Sequence, residues 1–589
     1  MTEDAAFIKA IIARPRAAAP RLAYAAALAG RGDPLGALIR AQCALDAQAP
    51  GAPARAALEQ EAATLIAAHE AEWLGPLAPH VAWRRYRRGS IEELALRDYP
   101  LDAAGLDALA ARPILAGLTR LSLVRGGVGP DAARALAAHP LLARLTALNL
   151  SRNDLGDAGA AALANSPRSR RLTMLDLSVN GIGDVGAQWL AAARALRQLR
   201  RLDLGGNQIG GGGAAALVST ALLPRLASLT LTLGRPPFLE WAPRPDPCAG
   251  IDGPPRPAGL ICLNCAGASI GDAALAAIAA TPRAGALTTL DLYGGDIGAA
   301  GATALGASPY IARLIALDLG AGPRYGSNHI GDAGLAGLVA HGALAGLVTL
   351  RLGRNAIGGA GAAALARARL PALVMLDLSV NALGDRGAAA LAGADLPALT
   401  ALDLSFNAIG DPGAAALAAG PLLRPVADLD LGGNRIGPAG ARALAAAPLG
   451  ALRTLRLGRD ADYADEANNA LGDGGVAALA AAPWLAGLQT LDLSVNGVGD
   501  AGVAALAGAD LSGLTTLDLR TNHLSAAAVD ALLAAPHLGA LRRLGLSNSL
   551  PGLTYEQYYD WDGSLAWSQY DQDAARALQA RFPQHPEIF

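Results

Sequence analysis

Apolar and polar positions follow a block of about 27 residues that recurs between residues 91 and 550. The copy that begins at Leu145 reads LTALNLSRNDLGDAGAAALA, and the shared pattern is LxxLxLxxNxIGDxGAxALA. Self-similarity at this period predicts stacked repeats, because no single repeat can bury its apolar face alone. The sequence contains about 17 copies, which begin at Ile91, Leu118, Leu145, Leu172, Leu199, Leu226, Leu260, Leu287, Leu314, Leu347, Leu373, Leu399, Val426, Leu452, Leu488, Leu514 and Leu541.

Each copy predicts one strand and one helix. The LxxLxL segment alternates at period two, as a short strand does, and GAxxLA follows the period of a helix. The predicted fold is an α/β solenoid, a horseshoe with parallel concave strands and convex helices. The Asp of IGD, as in Asp157 and Asp385, stands where a helix begins and predicts an N-cap.

In most copies an Asn stands three residues after the last Leu of LxxLxL, as in Asn153 and Asn407. An amide side chain can both donate to and accept from the backbone groups that a tight turn leaves unpaired. We therefore expect these Asn side chains to hold the turns.

The two ends of the chain lack the repeat. Residues 1–90 predict a small helical domain, with helices over 5–13, 21–29, 35–47 and 54–73 that end at Gly or Pro. Residues 551–589 are rich in aromatic side chains, which suit a cap over the last repeat. The predicted organisation is an N-terminal domain at 1–90, repeats at 91–550 and a cap at 551–589.

Composition limits the classes of function. The chain is 52% apolar but only 4% aromatic, as expected of a core built from Ala and Leu. We find neither a run long enough to span a membrane nor a signal peptide. A net charge of −2 gives no general attraction to nucleic acid or to an anionic membrane. Four cysteines are too few for a disulfide framework, so we expect a cytoplasmic protein.

Aspartates recur at position five of LxxLxL, and we call this row the Asp ladder. One interpretation is a negative strip on the concave face that binds a basic partner. The other is that LDLS is the consensus of this repeat type, with each Asp hydrogen-bonded locally. Asp377, Asp403 and Asp430 stand in consecutive copies, so Asp403 has an acidic neighbour on both sides, which predicts a raised pKa. The ladder comprises Asp176, Asp203, Asp291, Asp318, Asp377, Asp403, Asp430, Asp492 and Asp518.

Three copies are longer than the rest, and each is expanded after its strand. The expansions contain Trp241, Tyr325 and Tyr463 in a chain poor in aromatics. Insertions at one point of a repeat map to one edge of a solenoid, which is often the binding edge. These rim residues are predicted to join the Asp ladder in one binding surface. Neutral drift in tolerant loops is the alternative.

Motifs that suggest other chemistry are explained by the repeat. Cys262 and Cys265 are predicted to lie on opposite faces of one strand, Cys262 outward and Cys265 buried, so they do not suit a metal. Ser269 matches GxSxG but belongs to the usual xIGD segment. The basic and aromatic run at 83–88 predicts a solvated strand at the start of the repeats rather than a nucleic-acid site. We expect no enzyme activity, no cofactor and no metal.

The chain from Ile91 onward resembles leucine-rich repeat proteins of the ribonuclease-inhibitor-like subclass, and its GAxALA helices are similar to bacterial GALA-type repeats. The N-terminal segment, with PRLAY at 20–24 and HEAEW at 69–73, resembles the repeat-companion domain of some bacterial proteins. Ala25, Ala26 and Ala27 stand where that domain usually has an Asp-Trp pair.

This resemblance implies a non-enzymatic scaffold that binds an unidentified protein. It also leaves two alternatives open, an inhibitor of a basic enzyme and a GTPase-activating or effector-type regulatory protein. No nucleic-acid or membrane partner is expected.

Overall fold

A computed structural model describes residues 3–15, 17–49, 51–232, 259–322, 327–459 and 468–546. The chain divides into two units. The first comprises Met1–Ile270 and Thr281–Leu287, and the second comprises Gly271–Ala280 and Thr288–Phe589.

The first unit begins with four helices, as the sequence predicts. Arg21 connects α2 to the repeats, because its guanidinium donates to the Ser90 hydroxyl at 2.7 Å. Gln42 of α3 accepts a hydrogen bond from the Gly89 amide at 2.6 Å. These helices are α1 (Glu3–Ala13), α2 (Ala19–Ala29), α3 (Pro34–Ala47) and α4 (Pro53–Leu74).

The repeats of the first unit start with a β-hairpin. Strand β1 (Val81–Arg87) pairs antiparallel with β2 (Ser90–Leu96), and β2 to β8 then pair in parallel in chain order. The further strands are β3 (Arg120–Leu123), β4 (Ala147–Asn149), β5 (Met174–Asp176), β6 (Arg201–Asp203), β7 (Ser228–Thr230) and β8 (Cys262–Asn264). The further helices are α5 (Ala103–Ala111), α6 (Pro130–Ala138), α7 (Gly156–Asn165), α8 (Asp184–Ala191) and α9 (Gly211–Ser219).

The second unit repeats the same arrangement, with β9 to β18 paired in parallel in chain order. Its strands are β9 (Thr289–Asp291), β10 (Ala316–Asp318), β11 (Thr349–Arg351), β12 (Met375–Asp377), β13 (Ala401–Asp403), β14 (Asp428–Asp430), β15 (Thr454–Arg456), β16 (Thr490–Asp492), β17 (Thr516–Asp518) and β18 (Arg543–Gly545). Its helices are α10 (Gly271–Ala280), α11 (Ala299–Gly306), α12 (Gly331–Val339), α13 (Gly359–Ala366), α14 (Gly384–Ala392), α15 (Asp411–Ala419), α16 (Pro438–Ala446), α17 (Gly472–Ala480), α18 (Asp500–Ala507) and α19 (Ala526–Ala534).

The predicted strand positions are confirmed, because a parallel strand lies at each of the repeat openings found in the sequence. Positions one, four and six of LxxLxL point into the core, as shown by Leu399, Leu402 and Leu404, which are at most 2% exposed. Positions three and five lie on the opposite side, which we call the strand face. The helices cover the core side, so the predicted α/β repeat architecture is confirmed.

The Asn side chains hold the turns as predicted. The Asn407 amide is fully buried and donates to the carbonyls of Leu378 in the preceding repeat (2.8 Å), Leu404 (3.1 Å) and Ser405 (3.0 Å). Its oxygen accepts from the Leu383 amide at 3.4 Å. Each such Asn therefore links two consecutive repeats.

The Asp of IGD does not cap its own helix, so that prediction is wrong. Asp385 lies in the first turn of α14, and its Oδ1 accepts from the amides of Gly410 (2.7 Å) and Gly413 (3.0 Å) at the start of α15. Stacking brings the start of one helix beside the start of the next, so the carboxylate satisfies amides of its neighbour. Asp157, Asp184, Asp332, Asp411 and Asp473 make the same bonds.

Strand β8 departs from one expectation. Cys265 is buried as predicted, and Cys262 stands at position three, which belongs to the strand face; Cys262 is nevertheless only 1% exposed and is disulfide-bonded, so this part of the strand face is covered.

Candidate functional site

The Asp ladder lies on the strand face. In the second unit, Asp377, Asp403 and Asp430 are consecutive register partners on β12, β13 and β14. Neighbouring strands in a sheet are about 4.8 Å apart, so these carboxylates form a closely spaced row.

Every ladder Asp has a local structural task. Its Oδ1 accepts a hydrogen bond from the amide two residues later, at 2.8–3.0 Å in all nine positions. Asn149 and Asn264 make the same bond through their amide oxygens, at 2.8 and 3.1 Å. The interpretation of local hydrogen bonding is therefore confirmed, and a neutral side chain can do the same task.

Burial and proximity also raise the pKa of ladder carboxyls. The pKa of Asp403 rises to about 6, first because burial disfavours the charged form and then because Asp377 is close. The pKa of Asp430 rises to about 8 through burial and the neighbouring Asp403. The predicted rise at Asp403 is confirmed, although burial contributes more than charge repulsion.

This row opens on a shallow depression of about 240 Å³ in the strand face of the second unit. Four aspartates and two arginines line it, together with Met375, Leu376, Ala401 and Leu402. We call it the acidic depression, and its charged residues are Asp377, Asp403, Asp428, Asp430, Arg351 and Arg456.

Two of those charges are paired with each other. Arg456 Nη1 donates to Asp428 Oδ1 at 2.8 Å. Arg351 lies at the other side of the depression, where its Nη1 is 3.9 Å from Asp318 Oδ2 and its Nη2 contacts the Met375 sulfur at 3.4 Å. Both arginines thus stand at the sides of the row Asp377, Asp403 and Asp430.

The other aspartates of the ladder differ in exposure, in ion pairing and in pKa. Asp291 and Asp318 are only 8% and 6% exposed. Asp518 forms an ion pair with Arg520 at 2.6 Å, and burial followed by the charge of Asp518 raises the pKa of Asp492 to about 6. The ladder is therefore not one uniform negative strip.

Asp176 and Asp203 line a different depression of about 310 Å³ on the strand face of the first unit. It also contains Trp83, Arg120 and Arg201, so its charge is mixed. The two depressions share the strand scaffold but present different chemistry.

The basic run at 83–88 is a strand whose arginines bind carboxylates. Arg84 Nε donates to Glu70 Oε1 at 2.6 Å, and Arg88 Nε donates to Asp46 Oδ2 at 2.7 Å. Arg85 pairs with Glu93 at 3.2 Å. These contacts favour the predicted structural strand over a nucleic-acid site.

The three predicted rim residues, Trp241, Tyr325 and Tyr463, lie outside the residues that the structure describes. Asp428 belongs to the acidic depression but was missed by sequence reasoning. It stands at position three of a strand that reads DLD, so two acidic positions on one strand were the available signal.

Within the described ranges, no group of three or more His, Cys, Asp or Glu side chains is arranged to hold a metal ion. Nor does any helix of that part of the chain have the length and apolar character needed to cross a membrane.

Comparison with known proteins identifies the repeat. A leucine-rich repeat family model matches nine segments, 144–164, 168–191, 196–218, 287–306, 347–366, 373–392, 396–418, 426–445 and 488–507. No curated protein sequence matches the chain.

Solved structures of similar architecture include an internalin from Listeria monocytogenes, at 17% identity and a TM-score of 0.32, over 80% of this chain and 93% of that one. Another is the ectodomain of the receptor kinase GASSHO1/SCHENGEN3 from Arabidopsis thaliana, at 15% identity and a TM-score of 0.26, over 73% of this chain and 53% of that one. Both likenesses are too distant to carry an argument about function. The matched repeats and the strand-and-helix geometry show that the chain has an α/β leucine-rich repeat fold.

Proposed function

We propose that this protein is a non-enzymatic scaffold that binds a protein partner through the strand face of its second unit. The observation that supports this is the acidic depression, in which partly buried carboxylates stand in register on adjacent strands. A rigid sheet presents them at fixed spacing, which suits recognition of another protein rather than turnover of a substrate.

The charge of the depression also favours a basic partner. With its four aspartates ionised against two arginines the depression is negative, and a cationic group placed there favours this ionised form over the protonated form. An inhibitor of a basic enzyme is therefore the second candidate. The rim residues Tyr325 and Tyr463 of the second unit are proposed to belong to the binding surface, whereas Trp241 of the first unit stays a separate prediction. A cytoplasmic location is also proposed.

A photo-crosslinking residue placed on the strand face tests this proposal. Ala401 lies in the acidic depression, and Ala415 is exposed on helix α15 of the same repeat, which makes it a matched control. In native extract, a crosslinker at position 401 is expected to capture a discrete protein, and one at position 415 is not. Capture at about 0.1 M salt should also exceed capture at about 1 M salt, because salt screens exposed charges. Capture from position 415 alone, or from neither, would contradict the proposal.

A further inference from the structure

An exposed apolar row lies at the start of three adjacent strands of the second unit. Ile315 is 48% exposed and Val374 is 36% exposed, and Val348 stands between them. The Val348 amide donates to the Ile315 carbonyl, and the Val374 amide donates to the Val348 carbonyl, both at 2.8 Å. These side chains occupy position two of consecutive repeats, and we call them the apolar stripe.

The apolar stripe lies beside the acidic depression on the same strands. Val348 directly precedes β11, which ends at Arg351, and Val374 directly precedes β12, which ends at Asp377. Three residues of a strand span about 10 Å, so the stripe and the carboxylate row are about that far apart. Met375 lines the space between them.

Apolar side chains also stand beyond the carboxylate row, in the turns that follow the strands. Val380 and Phe406 have φ values of 53° and 54°, a left-handed conformation that is costly for a residue with a side chain. Gly433 occupies the equivalent position of the next repeat at φ 61°, where no such cost applies. The Phe406 ring packs over Gly433, where a Cβ atom would come within 2.4 Å of the ring. Val380 and Phe406 are each only partly buried.

We propose that the acidic depression and the apolar stripe together bind an extended segment of a protein partner in which a basic residue has an apolar residue two positions away on each side, so that the three side chains face the same way; this rests on the function proposed above. A Lys or Arg side chain would place its charged end on the carboxylates and its aliphatic stem over Met375 and Ala401. Its apolar neighbours would then reach the stripe on one side and Val380 and Phe406 on the other.

Charge complementarity decides the chemistry of this partner. The row Asp377, Asp403 and Asp430 has its two arginines only at the sides, so its centre lacks a cation of its own within the depression. Burial, followed by the neighbouring carboxylate, raises the pKa values of Asp403 and Asp430, and a bound cation would lower them. An anionic ligand such as nucleic acid would meet repulsion here, and a purely basic ligand would leave the apolar stripe exposed to water.

Three labelled peptides of equal length test the proposal with the full chain. They are Leu-Ser-Arg-Ser-Leu, its relative with Gln in place of Arg, and its relative with Ser in place of Leu. We expect the first to bind at least about tenfold more tightly than either relative by fluorescence anisotropy, which corresponds to about 1.4 kcal/mol.

Site variants and matched controls locate the binding. Asp403→Asn with Asp430→Asn, and separately Ile315→Ser with Val374→Ser, should each weaken the first peptide at least about tenfold. Asp176→Asn, a ladder change in the first unit, and Val179→Ser, at the turn position equivalent to Val380, should leave it unchanged; Val179 is 40% exposed. Melting curves confirm that each variant is folded.

Equal binding of the three peptides, binding of none, or affinities unaffected by the site variants would overturn this inference. Self-association of the protein that the Ile315→Ser and Val374→Ser pair abolishes would assign the surface to a second copy and would also overturn it. If any of these results is found while a crosslinker at position 401 still captures a protein, the proposed function stands and only the present inference fails. The two failures can therefore be told apart.

Discussion

At the scale of single residues, the Asp ladder combines a structural bond with an electrostatic cost. Position five and its repetition were predictable from the sequence, and so was the direction of the pKa change at Asp403. Burial as the leading cause was not predictable, because it depends on how neighbouring strands enclose a side chain that points away from the core.

Replacing Asp430 with Asn should stabilise the protein at alkaline pH. The carboxyl has a pKa of about 8 in the folded chain and about 4 when unfolded, so the folded state holds the proton more tightly. Stability is therefore lost as pH rises from about 4 to about 8, and the Asn variant should lack this loss. Denaturant unfolding should show a gain of roughly 1–5 kcal/mol near pH 8, the upper value being four pKa units at about 1.4 kcal/mol each, and little change near pH 4.

Asp428→Asn is the control for that experiment, because Asp428 lies on the same strand but is paired with Arg456. Asn at 430 keeps an oxygen for the Gly432 amide, 2.9 Å away in the present structure. A clear loss of stability near pH 8 would show that the charge itself is needed for folding.

Replacing Asn407 with Ala should destabilise the chain by about 2–4 kcal/mol, because three buried carbonyls lose their shared donor. Asn165→Ala provides the comparison, since Asn165 is exposed at the end of α7 and should change stability by less than about 0.5 kcal/mol. Equal unfolding free energies for the two variants would refute the role assigned to the Asn row.

At the scale of elements, hydrogen bonds between repeats determine how the helix ends are capped, whereas sequence reasoning placed each cap within one repeat. The helix positions were predictable from periodicity alone. The capping Asp was assigned to the wrong helix, because residues such as Asp385 and Gly410 are far apart in sequence and adjacent only after stacking. Stacking also explains the second Gly of the pattern GDxGA. At Gly413, for example, a Cβ atom would collide with Asp385 of the preceding repeat.

Replacing Gly413 with Ala should destabilise α15, although Ala normally favours a helix by about 1 kcal/mol over Gly. A Cβ atom at Gly413 would approach Asp385 Oδ1 to 2.7 Å and the Ile409 side chain to 2.8 Å. Gly474→Ala in α17 is the matched control, since its nearest neighbour would be 4.0 Å away. Thermal unfolding should show a lower melting temperature for the first variant and an equal or higher one for the second; a rise in both would refute the close packing.

At the scale of the whole molecule, the sequence predicted the number and order of the strands but not which part of the strand face is available. Ladder positions with the same consensus residue range from 6% exposed at Asp318 to the open row around Asp403. Both strands read ALD, so the difference arises from neighbouring repeats, which a consensus averages away. The proposed domain limits at 90 and 550 stay a prediction.

The affinity of the partner captured at position 401 tests the central claim most directly. It should be measured by calorimetry for the wild-type chain and for the variant with Asp377, Asp403 and Asp430 all replaced by Asn, at about 0.1 M and about 1 M salt. We expect the variant to bind at least about tenfold more weakly at the lower salt, to lose most of the salt dependence, and to melt no earlier than the wild type. Equal affinities for the two proteins at both salt concentrations would contradict a binding site on the strand face of the second unit.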